Sequence, residues 1–98
     1  MSMSPLQLRL PKEAKIVFNA LYAESPDRFG RSQDLLCVTL DGDTMIDVGW
    51  FPADDPSGVY VISVYRDSWE NQLLPAIEER DVTKVVLAVE RLALEFSR

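Results

Sequence analysis

Apolar and polar residues alternate through the middle of the chain, with Leu36, Val38 and Leu40 in one run and Ile46, Val48 and Trp50 in the next. Successive side chains of a strand point to opposite faces, so a period of two predicts strands with one face buried. A first strand is expected at 36–40, a second at 44–51 and a third at 59–66, the last rich in β-branched and aromatic residues. Asp41-Gly42 separates the first two and marks a tight turn, because glycine supplies the positive φ that a hairpin needs. Residues 52–58, with two prolines and two aspartates, form a longer connection.

Near the C-terminus the period becomes helical. Val82, Val85, Val86, Val89, Leu92, Ala93 and Phe96 share one face, and Asp81 stands where a carboxylate caps first-turn amides. A second helical stripe is read at Ala14, Val17, Phe18 and Leu21, opened by Pro11 and stopped at Ser25-Pro26. Pro75 disfavours both a helix interior and a central strand, so a short edge strand is placed at 73–77. Residues 1–10 are a leader, extended or partly disordered, in which Leu6, Leu8 and Leu10 alternate with Gln7 and Arg9. The expected architecture is α+β: one domain over 1–98, a three- or four-stranded antiparallel meander, and N- and C-terminal helices packed on one sheet face.

This pattern leaves two apolar surfaces without an assigned cover. With Leu36, Val38, Leu40, Ile46 and Val48 toward the helices, Leu35, Cys37, Met45, Phe51, Val59, Val61 and Tyr65 point the other way. That far face is too apolar for a freely solvated antiparallel sheet. Leu87 and Leu94 lie seven residues apart, off the main helical stripe, and are candidates for pairing with a second helix. Each surface is expected to meet a partner, a second copy or the chain's own leader (for Leu87 and Leu94 also the first helix), and a homodimer is one expected form.

Charge sharpens the picture. The 98 residues carry sixteen acids against ten bases, a formal net charge of -6, and no lysine or arginine lies between Arg31 and Arg66. Every charge in that stretch is an aspartate (Asp34, Asp41, Asp43, Asp47, Asp54 and Asp55). Such a balance repels nucleic acid and anionic lipid and favours basic protein partners. Asp41, Asp43 and Asp47 resemble the start of a calcium loop only superficially. Met45, Ile46 and Pro52 occupy the places of its fifth ligand, its glycine and its bidentate glutamate, so no metal or other cofactor is expected.

Catalytic chemistry has little to draw on. The chain has no histidine to activate a serine or cysteine, and its one cysteine, Cys37, sits in an apolar run that favours a buried, inert thiol. No membrane-length apolar run and no secretory start are visible, which makes a cytoplasmic location the default expectation. The leading expectation is therefore a non-catalytic protein–protein interaction module for a basic partner, for example an immunity or inhibitor protein. Its partner-binding residues would be Asp47, Asp54, Asp55, Phe51, Val61, Tyr65 and Trp69, with Leu87 and Leu94 on the helix. Alternatives are a structural subunit of a homo-oligomer, and a small-ligand, metal-binding or carboxylate-enzyme domain.

Overall fold

The computed structural model describes residues 5–22, 34–40, 43–52, 55 and 57–96. Its elements are β1 (Lys15–Asn19), β2 (Leu36–Thr39), β3 (Thr44–Phe51), β4 (Val59–Arg66), β5 (Ser68–Gln72), β6 (Ile77–Glu79) and α1 (Val82–Phe96). All six strands belong to one antiparallel sheet in the order β1-β2-β3-β4-β5, with β6 also beside β4. β5 meets β4 at Tyr65 and Arg66, and β6 meets it at Tyr60 to Ile62, so the two follow one another along the same edge.

β3 and β4 pair over their full eight residues, from Thr44 opposite Arg66 to Phe51 opposite Val59. Alternation then sends Ile46, Val48, Trp50, Tyr60, Ile62 and Val64 to one face, where all are buried. They form a single core with Val85, Val89, Leu92 and Ala93 of α1, which identifies this as the helix face. The helix begins as its sequence predicts: the Thr83 amide donates to Asp81 Oδ1 at 2.9 Å and the Val85 amide to the Asp81 carbonyl at 3.0 Å. Trp50 and Tyr60, directly opposite in the ladder, meet edge to face at 5.1 Å between ring centroids. Gly58 is required beneath that pair. A Cβ there would lie 2.5 Å from the Phe51 carbonyl oxygen and 2.9 Å from Trp50 Nε1.

The expected N-terminal helix is a strand. Ile16, Val17 and Phe18 are two β-branched residues and an aromatic in succession, which suits a pleated surface better than a helical turn. β1 pairs with β2 through a bulge between Ile16 and Phe18, which sets Ile16 opposite Val38 and Phe18 opposite Cys37. Those two side chains therefore fall on opposite faces, and the extra residue hides the period of two. Of the supposed helical stripe only Leu21 is fully buried, while Val17 and Phe18 are exposed.

The leader covers core next to the helix instead. Leu6, Leu8 and Leu10 pack against the core, the Leu6 amide donates to the Leu21 carbonyl at 2.7 Å, and the Arg9 amide donates to Glu90 Oε2 at 2.6 Å.

The edge strand at 73–77 is also corrected. Its span is the interruption between β5 and β6: the chain advances from Leu73 to Ile77 while β4 advances only from Val64 to Ile62. Pro75 sits inside that bulge, where no ladder amide is needed. Among the described residues the sheet accordingly has six strands rather than three or four, with one helix rather than two. Asp41-Gly42 and residues 53, 54 and 56 of the 52–58 connection lie outside the described residues.

Burial separates two leucine-sized positions sharply. Ile46→Ala, at a fully buried site, is expected to cost about 2–5 kcal/mol in urea unfolding, whereas Leu87→Ala, on the outer side of α1, should stay within about 0.5 kcal/mol.

Candidate functional site

The same ladder that buries the even-numbered residues of β3 and β4 turns Met45, Asp47, Gly49 and Phe51, with Val59, Val61, Ser63 and Tyr65, to the far face. Two of these are small. Gly49 opposite Val61, and Ser63 opposite Asp47, leave a depression between larger neighbours. The result is a groove of about 730 Å³ whose floor includes Gly49, Val61 and Ser63. Asp47 and Tyr65 stand toward one end, Phe51 toward the other, and Trp69 and Gln72 of β5 along a side.

Its aromatic walls are open to solvent. Phe51 is 42% exposed and Trp69 68%, while Val61 and Tyr65 are half-buried. No described segment of the chain crosses this face as the leader and α1 cross the other.

Electrostatics concentrate on Asp47. The Tyr65 hydroxyl donates to its Oδ2 at 2.8 Å, and the thiol of Cys37, directly opposite in the β2–β3 register, hydrogen-bonds to the same carboxylate. Both donors are pushed up from their ordinary pKa. Cys37 rises to about 12, first because burial disfavours the thiolate and then because Asp47 repels it. Tyr65 is raised as well, first by burial, then by its hydrogen bond to Asp47 and then by repulsion from that carboxylate. A thiol held so firmly protonated is a poor nucleophile and a poor metal ligand. Among the described residues, no three His, Cys, Asp or Glu side chains are grouped to hold a metal ion.

Five of the residues singled out from sequence converge here: Asp47, Phe51, Val61, Tyr65 and Trp69 all line the groove. Asp55 does not. Its carboxylate accepts from the Ser57 amide at 2.9 Å and hydroxyl at 2.8 Å, contacts that hold it below the usual carboxylate range, and its carbonyl accepts from Trp50 Nε1. It is placed as a turn-former beside the core. Asp54 lies outside the described residues. Leu87 and Leu94 are 59% and 67% exposed on α1, on the side of the molecule away from the groove.

Sequence reasoning passed over Asp34, Gly49, Ser63 and Gln72, which also line the groove. Gly49 and Ser63 carried a readable signal, being small residues at far-face positions of two predicted strands. Asp34 and Gln72 depend on segments whose course no periodicity revealed. Leu35, expected on the far face, belongs to the buried core.

No protein-family model, curated protein or solved structure matches the chain.

The state of Cys37 has two measurable consequences. A disulfide reagent at pH 8 should label the native thiol far more slowly than the urea-unfolded one, and equal rates would contradict its burial. Because the folded pKa is raised, the associated stability is complete below the unfolded value near 9 and is lost as pH climbs toward 12, at up to about 1.4 kcal/mol per pH unit. Cys37→Ala should flatten that part of the alkaline stability profile.

Proposed function

We propose that this chain is a non-catalytic protein–protein docking module that receives a basic partner on the far face of its sheet. One observation carries this reading: an open groove on the sheet face opposite the helix combines Phe51, Val61 and Trp69 with the half-buried carboxylate of Asp47. An exposed apolar surface rimmed by polar groups is a common feature of interaction sites, and aromatic residues commonly supply their anchors. The surrounding stretch has no basic residue from 32 to 65, so its field attracts cations. The chemistry around the groove supports binding over catalysis, since the Tyr65 phenol and the neighbouring Cys37 thiol are both held protonated, first by burial and then by Asp47. Charge of this kind accelerates encounter and selects partners more than it strengthens the final complex.

A second reading, a subunit of a homo-oligomer, is favoured by a different feature. β1 is an edge strand with no strand on its outer side among the described residues, and Ile16, Val17 and Phe18 are all exposed on it. Lys15 and the bulge blunt this edge without removing its apolar surface. The two readings separate by salt: association through β1 should be nearly independent of ionic strength and abolished by Phe18→Lys. A monomer at every concentration by light scattering would remove the second.

For the first reading, selection of peptides from a random display library against the full chain should enrich segments carrying arginine or lysine together with large apolar residues. Their affinity should fall as salt rises and weaken about tenfold with Asp47→Asn, matching the loss of a charged hydrogen bond. Enrichment of acidic segments, or affinity indifferent to salt, would contradict it.

A further inference from the structure

The groove is polar at one end and apolar at the other. We infer that it reads an extended peptide segment of a partner protein, with an arginine or lysine over Asp47 and a large apolar side chain two to four residues away over Gly49 and Phe51. This rests on the docking role proposed above and adds the order and spacing of the two determinants.

The spacing comes from the strand itself. Asp47, Gly49 and Phe51 are successive far-face positions of β3, each step about 7 Å and the whole span about 13 Å. An extended segment laid along these strands presents alternate side chains at the same repeat, so positions i, i+2 and i+4 face the floor together. Ser63 and Tyr65 flank the Asp47 end, whereas Val61 and Val59 lie opposite Gly49 and Phe51. A ligand reversed end for end would set its cation against those valines.

The choice of cation comes from the surroundings of Asp47. Both groups it engages, the Tyr65 hydroxyl and the Cys37 thiol, are neutral donors, and no basic side chain pairs with it among the described residues. A carboxylate that has lost part of its hydration gains most from a cation that brings its own N–H donors. A guanidinium does this with a planar fork and can also stack on an aromatic ring, which Trp69 and Tyr65 offer at this site. Gly49 contributes by absence of a side chain, leaving room for the apolar residue beside Val61 and Phe51.

The test uses the full chain and blocked pentapeptides followed by chemical shifts of Gly49, Ser63 and the Trp69 indole. One probe carries arginine and leucine at its two ends with small polar residues between; two others replace either end with serine; a longer one sets arginine and leucine eight residues apart. The pentapeptide with both determinants should bind at least tenfold more tightly than either single-determinant probe or the longer one. Asp47→Asn, or Asp47→Ser should that variant be unfolded, should erase the arginine increment and leave the leucine contribution. Gly49→Trp and Val61→Arg should each abolish the response. Salt-dependent binding at the groove that ignores both Asp47→Asn and the spacing would overturn this inference while leaving the docking role standing. Absence of any shift at groove residues with all four probes would overturn both.

Discussion

The eight-residue antiparallel ladder between β3 and β4 is the constraint from which the rest of the molecule follows. Its pairing is unbroken, so the side-chain alternation of both strands stays in phase from Thr44 to Phe51 and from Val59 to Arg66. A slip of one residue would send every core side chain to the far face and bring Asp47 under the helix. Registered as it is, the ladder gives α1 and the leader an apolar floor of Ile46, Val48, Ile62 and Val64. The residues left on the other side are then not a free choice. They are the complement of the core.

That complement is unusual in two respects. It retains apolar and aromatic residues where a solvated antiparallel sheet would be polar, and it holds a carboxylate among neutral hydrogen-bond donors. Asp47 is tied by Tyr65 and Cys37 into a small network across three strands, which fixes its position while leaving its charge unpaired by any described base. Two small residues, Gly49 and Ser63, turn this part of the face from a flat surface into a groove. Shape, apolar area and charge thus coincide at one place on the sheet, whereas Leu87 and Leu94 offer apolar area alone.

Much of this was legible from residue order because β3, β4 and α1 have strict periods and clean boundaries. The second and third strands and the apolar stripe of the last helix could be read directly, and with them the far-face set of Phe51, Val61 and Tyr65. Legibility failed where an extra residue breaks phase. The bulge at Val17 disguised β1 as a helix, and the bulge containing Pro75 merged β5 and β6 into one misplaced strand. Trp69 stands between Asp67 and Glu70 in sequence, yet its place beside the groove depends on β5 turning back sharply at Asp67, a residue with positive φ. Aspartate tolerates that conformation better than most residues, but nothing in the local pattern announces it.

The central claim is that the far face is open and negative at Asp47 while the helix face is closed. Paramagnetic broadening by a matched pair of small soluble nitroxides, one cationic and one anionic, measures both properties in a single experiment. The account predicts strong broadening of the Val61 methyls and the Trp69 indole, greater with the cationic probe, and protection of the Ile46 and Val64 methyls from both. Protection of Val61 and Trp69 equal to that of Ile46, or indifference to the sign of the probe, would contradict it.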